Sequence, residues 1–153
     1  MPKFETTRKV HHSARQMYDL VADIESYPQF VPLCQSLKIR GREVQKDGSE
    51  ILIADMTIAY GPIRESFVTR VVLDKNNHKI SASYIDGPFK YLDNIWRFED
   101  AETGAAPSSS NVLFSIDYEF KSRTLGAVMG SMFDRAFRKF SSAFETRADV
   151  LYD

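Results

Sequence analysis

From Leu37 to Lys121 apolar and polar residues alternate with a period of two, and from Thr124 to Leu151 the period lengthens to three and four. Val112, Phe114, Ile116, Tyr118 and Phe120 alternate with Asn111, Ser115, Asp117, Glu119 and Lys121, and Ile63, Phe67, Val71 and Leu73 fall opposite Arg64, Ser66 and Arg70. Successive side chains of a strand point to opposite faces, so this pattern predicts a sheet with one apolar and one wet face. Turn signals at Lys46-Asp47-Gly48, Tyr60-Gly61-Pro62, Asn76-Asn77, Asp86-Gly87-Pro88 and Thr103-Gly104 cut the run into strands of about ten residues. Strands joined by such short turns are antiparallel.

Elements flank the sheet on both sides. Phe4 to His12 reads as an edge strand, and Ser13 with Gln16 three residues on forms a capping box that opens a short helix with Met17, Leu20, Val21 and Ile24 on its apolar stripe. Pro28 and Pro32 then forbid helix continuation and leave Tyr27, Phe30, Val31 and Leu33 in a stiff apolar loop. At the other end Leu125, Val128, Met129, Met132, Phe133, Ala136, Phe137, Phe140, Ala143 and Phe144 share one helical face. A helix of about 25 residues spans roughly 38 Å, enough to cross and cover a curved sheet. The expected architecture is α+β: six to seven antiparallel strands curved around one long C-terminal helix, as a single domain over residues 1–153. Gly126 and Gly130, beside Met129 and Met132, mark a deformable helix start.

Composition narrows the function. With 43% hydrophobic and 27% charged residues the chain is an ordinary globular sequence. A net charge of −1 without a basic run argues against nucleic acid as a partner. The absence of a long apolar run or a signal-peptide pattern leads to the expectation of a cytoplasmic protein, peripheral at the inner membrane. His11, His12 and His78 lack metal-ligand spacing and read as solvated or singly hydrogen-bonded imidazoles, so no metal is expected. Cys34 reads as a small buried hydrophobe. Asp55 and Glu65 read as outer-face or ion-paired groups, and no acid–base pair suggests catalysis.

The order of Tyr27-Pro28-Gln29-Phe30-Val31-Pro32, Asp86-Gly87-Pro88-Phe89, Trp96-Arg97-Phe98, Tyr118-Glu119-Phe120 and Ala143-Phe144-Glu145 with Arg147-Ala148 resembles the ubiquinone-binding START-domain family. Its members are similar in fold to polyketide cyclases and include a mitochondrial coenzyme Q-binding protein; one bacterial branch is described as a ribosome-association toxin. The resemblance implies a helix-grip (START or Bet v 1-like) fold and a non-enzymatic protein that binds a polyisoprenoid quinone and supports respiratory electron transport, with no cofactor beyond that bound ligand. A ribosome-directed inhibitor of subunit association and a cyclase-type enzyme of the same fold are the alternatives. On the quinone reading Phe30, Val31, Leu33, Phe89, Leu92, Trp96, Phe114, Met129, Phe133, Phe137 and Phe140 form the apolar site. Tyr27 and Arg97 face the quinone oxygens, and the loop from Tyr27 to Leu33 is a portal in transient contact with a membrane surface.

Overall fold

The computed structural model describes residues 3–60, 62–100 and 109–152, with the side chains of Tyr60, Ile63, Met132, Phe137 and Ser141 outside that description. The predicted turns at Gly61 and Thr103-Gly104 and the Ala105–Ser108 loop fall wholly or partly outside it. Along the chain come β1 (Lys3–Val10), α1 (Ala14–Ala22), a 3-10 turn (Ile24–Gln29), β2 (Cys34–Val44), β3 (Glu50–Tyr60) and β4 (Ile63–Asp74). A second 3-10 turn (Lys75–Asn77) leads to β5 (Lys79–Asp86), β6 (Phe89–Asp100), β7 (Ser110–Phe120) and α2 (Arg123–Tyr152). The strands form one antiparallel sheet in the order β1-β7-β6-β5-β4-β3-β2. Register shifts in β2, between β4 and β5 and at the start of β6 mark bulges, which bend strands and so help wrap the sheet about its helix.

The inner face forms as the alternation requires. Every second residue of β7, from Val112 to Phe120, is buried, and the register sets Trp96 opposite Phe114 and Leu92 opposite Tyr118. Phe89 anchors one end of this aromatic layer, 4.8 Å from the ring of Phe120 and 5.2 Å from that of Phe67. α2, at 30 residues, is longer than expected and spans about 45 Å. Its first half packs Phe133 on Phe120, with centroids 5.2 Å apart; its second half packs Phe144 on Trp96 at 5.0 Å.

Polar ties gather at the end of α2. Arg8 of β1 meets Glu145 at 2.6 Å, His12 meets Asp149 at 2.6 Å, and Arg147 donates to the Gln29 side chain at 2.7 Å. β1 ends at Val10, so His12 sits past the strand, where it is 3% exposed and singly hydrogen-bonded. The capping box of α1 forms as predicted: Ser13 accepts from the Gln16 N–H, and the Gln16 side chain accepts from the Ser13 N–H. Asp55 lies on the outer face, paired with Arg40. Glu65 does not: it alternates with Phe67 and Thr69 on β4 and pairs with Ile58 of β3, so it stands on the inner side, at the rim. The two-residue period forces this, because its parity matches Phe67.

Two glycines make contrasting demands. Gly87 has φ +141°, and a Cβ there would come within 2.5 Å of Phe67 Cβ and 2.9 Å of its Cα. The β5–β6 turn therefore closes over Phe67 only because position 87 has no side chain. At Gly130, inside α2, a Cβ would meet nothing within 4 Å. Gly87→Ala is expected to destabilise by about 2–3 kcal/mol and Gly130→Ala to stabilise by about 0.5–1 kcal/mol, as read by urea denaturation.

Candidate functional site

Small residues open a space where the sheet centre faces α2. On the inner face Ala54 of β3 pairs with Thr69 of β4, and Ala82 of β5 pairs with Val71 on one side and Asn94 of β6 on the other. α2 presents Ala136 to the same space. Larger side chains ring these short ones: Met56, Ile58, Phe67, Phe89, Trp96, Phe114, Phe133, Phe140 and Phe144. The result is a cavity of about 120 Å³, walled almost wholly by carbon. Apolar voids near this size stay dry and accept a single benzene-like ring.

That volume decides what the site can do unaided. It takes about four groups of roughly 30 Å³, and filling it with methylenes yields only about 3 kcal/mol at ~0.8 kcal/mol each. Binding that weak is millimolar or poorer. Any tightly held ligand must therefore extend beyond the cavity or widen it.

The wall beside the proline loop is the one built to yield. Pro32 lines the inner cavity and also an outer groove formed with Phe30, Lys139, Ser142, Ala143, Thr146, Arg147 and Val150, so it separates the two. Leu33, next to it, has φ +68°, a left-handed conformation that costs a leucine about 1–2 kcal/mol. Such strain persists where surrounding contacts impose it, and it recurs at ligand-gripping loops. Here the Leu33 carbonyl accepts from the Ala59 N–H at 3.0 Å, and the ring of Phe30 packs edge-on against Phe144 at 5.0 Å with the Arg147 guanidinium 5.4 Å from its centre.

Of the residues expected at the site, Tyr27, Leu33, Phe89, Leu92, Trp96, Phe114, Phe133 and Phe140 line the cavity. Val31 and Met129 are buried but stand outside the lining, and Phe30 faces the outer groove. Phe137 lies on α2 with its side chain outside the described residues. Two roles need correction. Arg97 is exposed on the outer face, since adjacency to the inward Trp96 turns it away from the cavity. Tyr27 contributes its ring only: its hydroxyl donates to the Val21 carbonyl, and burial raises its pKa far above that of a free phenol. Cys34 is buried as expected, and desolvation pushes its thiol up to about 11, away from nucleophilic chemistry.

Sequence reasoning missed the polar members, Asn94 and Thr69, and the alanines that create the space. Strand parity held the signal: Asn94 stands two residues from Trp96, and Thr69 two from Phe67. Apart from the Tyr27 phenol, the described residues of the lining carry no ionisable group. Among the described residues no cluster of three His, Cys, Asp or Glu could hold a metal, and no helix is long and apolar enough to cross a membrane.

Residues 10–145 match the family described as polyketide cyclase/dehydrase and lipid transport. The ribosome association toxin RatA of Escherichia coli (strain K12) is 32% identical over 152 residues, 99% of this chain and 90% of that one. The mitochondrial coenzyme Q-binding protein COQ10 of Dictyostelium discoideum is 30% identical over 149 residues, 97% of this chain and 69% of that one. The solution structure of the 18 kDa protein CC1736 from Caulobacter crescentus superposes with a TM-score of 0.78 at 32% identity, covering 99% of both chains.

Filling the space tests whether it is open. Ala82→Leu is expected to leave the melting temperature within a few degrees of wild type, because the new side chain enters a void instead of displacing neighbours. Uptake of a long apolar ligand should fall at least tenfold. A loss of more than about 2 kcal/mol in denaturant unfolding would show the site to be already packed.

Proposed function

The chain belongs to the polyketide cyclase/dehydrase and lipid transport family, and we propose that it is a non-enzymatic binding protein for a neutral polyisoprenoid quinone. The observation that carries this reading is the cavity lining: among the described residues it is aromatic and aliphatic, with the neutral polar side chains of Asn94 and Thr69 and no charged one. An acidic lipid or a phosphorylated isoprenoid would bury an uncompensated charge there at a cost of several kcal/mol. A neutral quinone incurs no such cost, and each methylene of its tail that leaves water contributes about 0.8 kcal/mol. The name of the Dictyostelium relative, a coenzyme Q-binding protein, supports the same ligand.

A cyclase-type activity has less support. General acid–base chemistry needs a titratable group within hydrogen-bond reach of the substrate, and among its described residues the lining offers only the Tyr27 phenol, whose proton is engaged by Val21. On the binding reading the Tyr27–Leu33 loop is the portal. Pro32 is the partition between inner cavity and outer groove, and transient contact of this loop with a membrane surface would let quinone pass between bilayer and protein. The cellular role that follows is delivery or positioning of quinone for respiratory electron transfer.

One observation favours a second reading, action on the ribosome. Arg123, Arg135 and Lys139 are exposed on α2 and pair with no acid among the described residues, and a relative 32% identical is named a ribosome association toxin. Against it stands a net charge of −1, since binding to RNA draws mainly on cationic surface.

Long-tail ubiquinone at about a hundred times its Kd is expected to stabilise the protein by about 2.7 kcal/mol. For a chain of this length that raises the melting temperature by about 5–10 °C. Solvent extracts of the purified protein should contain quinone by mass spectrometry. Lipid-free extracts with no thermal shift, together with co-sedimentation with a ribosomal subunit, would replace the quinone reading with the ribosomal one.

A further inference from the structure

Among the described lining residues, Asn94 and Thr69 carry hydrogen-bonding groups with spare capacity. Asn94 donates one amide N–H to the Ser115 backbone carbonyl at 2.9 Å, which fixes the side chain against β7. Its second N–H and its Oδ1 have no partner among the described residues, and both belong to a residue lining the cavity. Thr69 lies on the same inner face, 7% exposed, and its hydroxyl likewise has no partner among the described residues. Placing a hydroxyl and half an amide in an apolar interior with nothing to bind is unfavourable, which marks them as waiting for a polar atom from elsewhere.

Their spacing says what kind of molecule would supply it. Asn94 is on β6 and Thr69 on β4, with β5 between them and the methyl of Ala82 as the side chain facing Asn94 across the β5–β6 register. Thr69 lies two residues along β4 from Val71, the residue level with Ala82 and Asn94, so two strand separations and a two-residue offset set the two positions roughly 12 Å apart. A hydrogen bond of about 2.9 Å at each side leaves about 6 Å, room for one six-membered ring carrying oxygens at opposite edges. The cavity volume of about 120 Å³ independently suits one ring and nothing longer.

We propose that Asn94 and Thr69 form a head-group subsite that brackets the ring of a neutral dioxygenated ligand. The ring enters first, and the apolar tail leaves past Pro32 into the outer groove beside Phe30. This rests on the quinone reading above and adds to it the orientation of the ligand and the residues that distinguish a quinone from a plain hydrocarbon. Because the spare amide offers a donor and an acceptor and a threonine hydroxyl serves as either, the subsite accepts the carbonyls of a quinone and the hydroxyls of a quinol. Both redox forms therefore bind with similar affinity.

Binding of decylubiquinone, decylubiquinol and dodecylbenzene to the wild type, Asn94→Leu and Thr69→Val tests this. Dodecylbenzene keeps a ring and a tail but has no hydrogen-bonding atom. The wild type should prefer both quinoid ligands over dodecylbenzene by at least tenfold and bind the two within about threefold of each other. Asn94→Leu should abolish most of that preference while holding dodecylbenzene as well as the wild type does, and Thr69→Val, nearly the same shape, should lower it severalfold. A purely structural role for Asn94 would weaken all three ligands in proportion, and that result, or an unchanged preference in both variants, overturns the subsite alone. Should Asn94→Leu fail to fold, an unchanged preference in Thr69→Val overturns it just as well. Wild type that binds dodecylbenzene but neither quinoid ligand overturns the quinone reading and the subsite with it.

Discussion

One long helix, with only the short α1 beside it over β5, β6 and β7, has to cover the inner face of seven strands, and the rest of the molecule follows from that mismatch. A helix with its side chains is about 10–12 Å wide, whereas seven strands at about 4.8 Å extend over roughly 30 Å. The sheet bends around α2 through its bulges, and large aromatics on β6, β7 and α2 close most of the gap. What the aromatics do not reach remains open, over the alanines of β3 and β5. The cavity is thus where the one covering helix meets the shortest side chains of the sheet.

The same mismatch explains why the fold was more legible in the sequence than the site. β7 announces itself by strict alternation, α1 by Ser13 and Gln16, and α2 by a stripe from Leu125 to Phe144; each signal is local. The lining is not local, because it draws on α2, the proline loop and every strand from β2 to β7. Ala54 and Ala82 read in sequence as unremarkable strand residues, and only their common placement opposite Ala136 makes a void. Arg97 and its neighbour Trp96 cannot both face the cavity, since alternation alone forbids it, and Trp96 is the inward one. The tie between the Tyr27 hydroxyl and the Val21 carbonyl depends on the path of the 3-10 turn, and the left-handed backbone of Leu33 on a carbonyl held from β3. Neither leaves a mark in residue type.

Charge follows a sharp division between surface and interior. Arg40 pairs with Asp55 on the outer face, and Arg42 pairs with Glu50 at the strand ends on the inner side, at the rim; both pairs are partly exposed, so water screens them and each contributes little to stability. In the cavity, the described polar side chains are hydroxyl, amide and indole groups that can meet a neutral molecule without stripping an ion of its hydration. Such an interior selects against charged compounds before any shape is read.

Among the described residues the side-chain hydrogen bonds and ion pairs that join α2 to β1, to His12 and to the 3-10 turn lie in its last third: Glu145 to Arg8, Arg147 to Gln29 and Asp149 to His12. Its first half carries Gly126 and Gly130, the ion pair that Asp134 makes there is with Arg138 of the same helix, and among the described residues the side chains of that half reach the sheet through apolar contact. Mechanically this is a cantilever, clamped at one end and resting at the other. Apolar contacts slide without breaking directional bonds, so the free end can change its side chains, and with them the capacity of the interior, while the clamp preserves the fold. Capacity and integrity are thereby separate traits of a single helix, each open to change without the other.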